Sequence, residues 1–435
     1  MTKVAVIGLW HQGIVGAACL ADLGHNVTAW DPNKATVERL KTGHAPVFEP
    51  GLDDLIGKGI AAGNLHFVDE LSSAVSAAEI VCLMQDTPVD DQDRSDLSGI
   101  FQTTRDIAPH LAENAIAYVT AQVPIGTCAQ LSAILNEGSG YRVPIAYTPE
   151  NLRLGVAVER FRHPDLPVIG TQDASAFERL EALFAPLNVT WRQTGLESAE
   201  MLKHALNGFL AVSICFANEL GNLCDRLGAN GVEVAKLLRM EPRVGSKAML
   251  MPGLGFSGGT LARDMMTLRI LGDRVGVNTP MLDGAWVSNQ EQNKLVTERL
   301  THLLSGLVGK RICVLGLTYK PDTSTLRRSA ALELVHELTS AGASVTATDP
   351  AADPTEVTPP PNFEFKRDIY EAAADADALV LMTPWNVYRE VDFQMLRGVM
   401  HGAIIFDTAR LWQADAVSAH GFRYFDIGSG RVPTT

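Results

Sequence analysis

At 435 residues, 46% hydrophobic and 20% charged, the chain is too long for a single hydrophobic core, and two or three globular domains are expected. A net charge of −14 argues against nucleic acid as a partner, because phosphate backbones are held by clustered Lys and Arg; a small anionic ligand needs only local N–H groups and a few cations. No apolar run approaches the roughly 20 residues of a membrane span, nothing resembles a signal peptide, and six scattered cysteines form no CxxC pair or Cys/His cluster, so a cytoplasmic protein with reduced thiols, no bound metal and no membrane partner is expected.

Residues 3–8 form a short β-rich run, 14–23 show helical spacing with small residues on one side, and 26–30 read as a second strand ending at Asp31. This is how a doubly wound sheet begins. Gly8-Leu9-Trp10-His11-Gln12-Gly13-Ile14-Val15-Gly16 stands where a dinucleotide fold places its phosphate loop, with Gly8, Gly13 and Gly16 as the candidate glycines. Four non-glycines separate Gly8 from Gly13, which reads as a GxGxxG turn lengthened by about three residues. The Asp31 carboxylate is placed to accept from both ribose hydroxyls and to repel a 2′-phosphate, so NAD is expected rather than NADP. The bland alternative is a dinucleotide fold that has lost its cofactor.

Further strands are expected at 80–84, 115–119 and 143–147, completing a first domain over residues 1–195. From 197 to 227 the pattern becomes one long helix without internal proline, and another helical run covers 280–305. Residues 196–305 are therefore expected to be a helical central domain suited to dimerisation. The strand and helix alternation restarts at Lys310, with strands at 311–316, 344–348 (ending at Asp349), 378–382 and 403–407, and a helix at 329–341; the tract Thr358-Pro359-Pro360-Pro361 reads as a surface loop before a strand. Residues 306–435 make a third domain, and the whole is expected to be an α/β fold with two Rossmann-like doubly wound domains joined by a long central helix.

Several separated motifs then resemble the UDP-glucose/GDP-mannose dehydrogenase family over nearly the whole chain. They are Glu49-Pro50-Gly51-Leu52 after the second strand, Thr87-Pro88, Val123-Pro124-Ile125-Gly126-Thr127, Thr148-Pro149-Glu150, Lys203 with Asn207, Phe216-Ala217-Asn218-Glu219, Pro242-Arg243-Val244-Gly245, Pro252-Gly253-Leu254-Gly255-Phe256, Asp264, and Lys320-Pro321 with Thr323, Arg327 and Ser329. The resemblance implies NAD on the first domain, held also by Thr87, Pro88 and Gln122, and a sugar nucleotide or sugar phosphate reached by Arg153, Arg243, Phe256, Gly258, Lys320 and Arg327. It also implies a homodimer on the long helix, with Arg243 reaching towards the partner's site. Family members oxidise a sugar CH₂OH to a carboxylate in two hydride transfers, the second through a cysteine thiohemiacetal and thioester. The implied catalytic positions are Lys203, Asn207, Asp264, Thr260 and Glu150. Lys203 and Asn207 are spaced to point an ammonium and an amide at one developing alkoxide, with Asp264 assisting.

The chain departs from the family selectively. The family's Gly-Phe-Gly-Gly-Ser-Cys loop is Gly255-Phe256-Ser257-Gly258-Gly259-Thr260, so an alcohol stands where the thiol belongs and thioester chemistry is unavailable there. Leu154 replaces the glutamate of the hydrolytic stage, Gln122 replaces a threonine that orders water, and Leu166 replaces an arginine. In the C-terminal domain Thr325 and Arg328 replace acidic residues around Arg327. The residues of the first alcohol oxidation remain while those of the thioester stage have changed. The reading this favours is a two-electron oxidation, or its reverse, of an alcohol on a nucleotide-linked or phosphorylated sugar. Its alternatives are a four-electron UDP-sugar 6-dehydrogenase acting through the hydrated aldehyde, an NAD-assisted epimerase or lyase, and a non-catalytic sugar-nucleotide-binding protein.

Overall fold

A computed structural model describes residues 1–90, 94–149, 152–256, 260–326, 329–356 and 358–431. The chain divides into two compact units, 1–206 and 207–435. The long helix Leu196–Leu227 runs across that boundary.

In the first unit the strands are β1 (Lys3–Ile7), β2 (Asn26–Trp30), β3 (Leu65–Phe67), β4 (Ile80–Leu83), β5 (Ile116–Val119), β6 (Ile145–Tyr147), β7 (Val168–Gly170) and β8 (Arg192–Thr194). They form one sheet in the order β3-β2-β1-β4-β5-β6-β7-β8, parallel except where β7 runs antiparallel to β6. The first six strands follow the order of a dinucleotide-binding sheet. Strands β4 and β5 are buried on both faces, as central parallel strands must be. Alternate residues of β1 serve opposite cores: Val4 and Val6 pack with Ile14 and Leu20 of the first helix, Ala5 and Ile7 with Leu131 and Leu135 on the other side.

In the second unit β9 (Arg311–Leu315), β10 (Ser344–Thr348), β11 (Phe363–Phe365), β12 (Ala378–Leu381), β13 (Ile404–Asp407) and β14 (Arg423–Asp426) form a six-stranded sheet in the order β11-β10-β9-β12-β13-β14. All its neighbouring pairs are parallel. The strand order repeats that of the first six strands of the first unit. Two helices, Leu261–Val275 and Pro280–Leu303, precede the sheet. The α/β class and its two parallel sheets are as the sequence implies, and the proline tract does lead by an irregular path into β11.

One expectation is corrected. The β1 turn carries no insertion: β1 ends at Ile7 and the first helix, His11–Asp22, begins four residues later, so Gly8, Trp10 and Gly13 take the first, third and sixth places of the GxGxxG turn. The apparent lengthening is a glycine replaced by tryptophan. Trp10 tolerates the exchange because its backbone (φ −69°, ψ −154°) is extended, whereas Gly8 sits at φ +92°. Among the described residues, no helix is long and apolar enough to cross a membrane.

Candidate active site

The first unit presents a cradle at the carboxyl end of β1. A Cβ on Gly8 would lie 2.7 Å from Gln85 Cα, and one on Gly13 would lie 1.7 Å from the Gly8 carbonyl oxygen, so neither position admits a side chain. The first helix has no side-chain cap, and its earliest internal bond runs from Ile14 N–H to the Trp10 carbonyl at 3.1 Å. Its first-turn N–H groups therefore lie ahead of the ladder, where they can meet an anion. Asp31, half-buried, accepts one backbone N–H on each carboxylate oxygen, from Leu9 at 2.6 Å and from Asn33 at 2.8 Å. Each oxygen keeps a lone pair for a ribose hydroxyl. These features fit a dinucleotide. Buried Thr87 donates to the Gln122 carbonyl at 2.7 Å, tying the loops after β4 and β5 together, while Pro88 is exposed.

Glu49 does more here than the sequence reading allowed. Its buried carboxylate accepts from the backbone N–H of Gly155 (2.9 Å) and Ala157 (2.5 Å) and pairs with His11 Nε2 at 3.1 Å. It thus ties the opening of the first helix to the loop that carries exposed Arg153 and half-buried Leu154. Nearby, Leu166 lines an apolar cavity of about 90 Å³ together with Phe161, Phe184 and Trp191.

Lys203 and Asn207 are both buried, one turn apart on the long helix. The register of that helix is set within the first unit by two side chains that the sequence reading missed. Fully buried Glu200 accepts from the N–H groups of Gly126 (2.7 Å) and Cys128 (2.8 Å), and His204 Nε2 bonds the Val123 carbonyl at 3.0 Å. In the second unit the Asn207 amide donates to the fully buried Asp264 carboxylate, one turn into the helix Leu261–Val275. Asp264 thereby orients the amide.

The loop before Thr260 is held by three side-chain amides. Asn289 accepts from Phe256 N–H at 2.7 Å and donates back to the Phe256 carbonyl at 3.0 Å; Asn218 accepts from Gly253 N–H at 2.8 Å, and Gln292 donates to the Gly253 carbonyl at 2.6 Å. Of these, only Asn218 lay in a recognised motif. Phe256 is buried, and Thr260 is exposed at the N-cap of a 15-residue helix without a side-chain cap bond. That place would favour a thiolate, but an alcohol does not ionise there. All six cysteines are buried, and burial pushes the thiols of Cys82, Cys128 and Cys313 up, with Cys215 at about 11 and Cys19 at about 12.

Arg243 lies exposed in a turn, its Nε donating to Glu241 at 2.7 Å, and Lys320 is half-buried. Glu150, Gly258 and Arg327, together with Arg328, lie outside the described residues.

Family models match along the chain in order. The UDP-glucose/GDP-mannose dehydrogenase NAD binding domain matches residues 2–188, the central domain 197–291 and the UDP binding domain 313–414. A UDP-glucose 6-dehydrogenase of Rhizobium meliloti is 35% identical over 98% of this chain and 99% of its own. Among solved structures, a UDP-glucose dehydrogenase from the hyperthermophilic archaeon Pyrobaculum islandicum superposes with a TM-score of 0.89 at 28% identity, covering 98% of this chain and 97% of that one. A UDP-D-ManNAc dehydrogenase from Pyrococcus horikoshii gives 0.88 at 25% identity, covering 99% and 100%.

Proposed function

The chain belongs to the UDP-glucose/GDP-mannose dehydrogenase family, with its NAD-binding and UDP-binding domains, and from that premise we propose that it oxidises the primary alcohol of a UDP-sugar to the carboxylate without a covalent enzyme intermediate. The observation that carries this reading is the buried Asn207–Asp264 pair, with Lys203 one turn away on the same helix, in a chain whose thiols are all buried. The full-length likeness to UDP-glucose 6-dehydrogenases favours this four-electron course over the two-electron expectation.

NAD, when bound, supplies the two-electron acceptor for each oxidation. Gly8, Gly13 and Gly16 let the turn and the first helix pack closely on Gln85, the Gly8 carbonyl and Met84, which presents the helix N-terminus to its pyrophosphate, and Asp31 holds its ribose. Lys203 and Asn207 stabilise the developing negative charge on the oxygen of the carbon being oxidised, and Asp264 holds the Asn207 amide in place. An aldehyde that takes up water presents a second C–OH to the same groups. One set of charge-stabilising side chains can therefore serve both stages: RCH₂OH loses two electrons and two protons to give RCHO, and RCH(OH)₂ loses two electrons and two protons to give RCOOH. Lys320 and Arg327 are assigned to the uridine nucleotide, and Arg153, Phe256 and Gly258 to the sugar side. Placement in the cytoplasm belongs to the same reading.

A homodimer on the long helix is part of the proposal. Phe209, Phe216 and Leu223 recur every seven residues and, with Leu227, expose one apolar stripe. A solution mass of one chain at micromolar concentration would remove this part.

The test is to count NADH per UDP-sugar consumed and to trap carbonyl product. Two NADH and a carboxylate are expected; one NADH with a trapped aldehyde would establish the second reading, which the changes at Thr260, Leu154 and Gln122 favour. In either case Lys203→Ala should lower kcat by about 10²–10³-fold, the range for losing one oxyanion donor.

A further inference from the structure

Trp10 stands at the third position of the phosphate-binding turn, where a glycine ordinarily lets the backbone come against the pyrophosphate. The side chains and glycines around it are largely packed away. Leu9 and Ile14 are fully buried, Gly8 and Gly13 leave no space for a Cβ, and His11 is held by Glu49. Trp10 alone turns outward, with 52% of its surface exposed. It is also the N-cap residue of a helix that lacks a side-chain cap, so in the chain it adjoins the first-turn N–H groups.

An indole carries a single N–H donor and a positively polarised ring edge, both suited to an anionic oxygen. A tryptophan on a water-facing edge also gains most when a ligand covers it. We propose that Trp10 is a cofactor-binding residue: its indole closes over the bound dinucleotide with Nε1–H and the ring edge directed at the pyrophosphate, replacing the backbone approach that a glycine would give. The inference rests on the NAD-binding reading of the first unit. It assigns Trp10 to the phosphates and not to the adenine.

Binding of NAD, ADP and adenosine to the wild-type chain, Trp10→Ala and Trp10→Phe by calorimetry tests it, with thermal midpoints to confirm folding. Trp10→Ala should weaken NAD and ADP by about tenfold and leave adenosine unchanged, and Trp10→Phe, which keeps the ring edge, should recover part of the loss. NAD should quench wild-type tryptophan emission, and that component should vanish in Trp10→Phe. Equal NAD binding by a folded Trp10→Ala protein would mean that the indole takes no part, and tighter binding that it obstructs the site; either would overturn the proposal. A loss shared equally by adenosine would also overturn it, because the contact would then not be with phosphate. If the wild-type chain bound no NAD, the failure would lie with the cofactor reading instead.

Discussion

The first six strands of one sheet and all six of the other share a strand order and the same two landmarks, yet the two units use them in opposite ways. In the first unit Gly8 follows β1 at φ +92° and its N–H bonds the Trp30 carbonyl at 2.9 Å; in the second, Gly316 follows β9 at φ +85° and its N–H bonds the Thr348 carbonyl at 2.8 Å. An aspartate follows the second strand of each. Asp31 is half-buried and takes one backbone donor per oxygen. Asp349 is 2% exposed and takes six, from Leu317 N–H, both donors of Thr318, Trp385 Nε1–H, Ala351 N–H and Ala352 N–H. Such a carboxylate has no lone pair left for a ribose.

The helix that follows differs in the same sense. In the first unit it starts at His11, close behind the glycine and without a side-chain cap; in the second it starts at Ala330, and Ser329 accepts from Ala331 N–H at 3.1 Å while donating to the Leu317 carbonyl at 2.6 Å. The first unit thus leaves its anion-binding end open, and the second closes it with its own side chains. The topology supplies a location, and whether a ligand can use it depends on how many internal donors already claim it.

Exchange of each aspartate probes this directly. Asp349→Ala should be the more damaging to stability, on the order of 3 kcal/mol or more, because several buried donors lose their acceptor together. The thermal midpoint should fall while NAD affinity per folded molecule stays unchanged. Asp31→Ala should do the reverse, weakening NAD by about 1–3 kcal/mol as measured by calorimetry, with a smaller change in midpoint. It should also narrow the preference for NAD over NADP, since the charge that repels a 2′-phosphate is gone. Equal affinity of the natural protein for both cofactors would break the comparison at its root.

How much of this was legible follows from where each signal lies in the chain. Strand β2 and the long helix announce themselves by a periodic apolar pattern, and β1, β4 and β5 by short continuous apolar runs that are buried throughout. Strands β7 and β8, three residues each, are too short to carry a period, and the sequence reading passed over them. The helix Leu261–Val275 follows directly on the loop motif that drew attention. Side chains that hold backbone across long separations left no local trace: Asn289 on Phe256, Glu200 on the loop 126–128, and Glu49 on the turn 155–157. Glu49 and Asn218 lay inside recognised motifs, which pointed to their positions without saying what they hold. Trp10 misled for a different reason. A glycine count reads substitution as insertion, and only the strand end at Ile7 and the helix start at His11 tell them apart.

The smallest expected effect is at Thr260, where an alcohol stands at the position that the resemblance gives to a cysteine. Thr260 is exposed and makes no cap bond, so Thr260→Ala should change stability by about 0.5 kcal/mol or less, without the usual loss at an N-cap. If both oxidations run through Lys203, Asn207 and Asp264, turnover should fall by less than about threefold and the count of two NADH per UDP-sugar should hold. Thr260→Cys is the sharper variant. A thiol at a helix N-terminus gains thiolate character and can add to the aldehyde, giving a thiohemiacetal whose oxidation by NAD forms a thioester. Leu154 offers no base for hydrolysis at the position of the family's glutamate, and Gln122 stands where a threonine would order water. The acyl-enzyme should therefore accumulate, and mass spectrometry should find the chain heavier by one acyl group while steady turnover declines. If Thr260→Ala instead stopped after one NADH and released aldehyde, the hydroxyl itself would be needed for the second oxidation, and the non-covalent course through the three buried residues would be wrong.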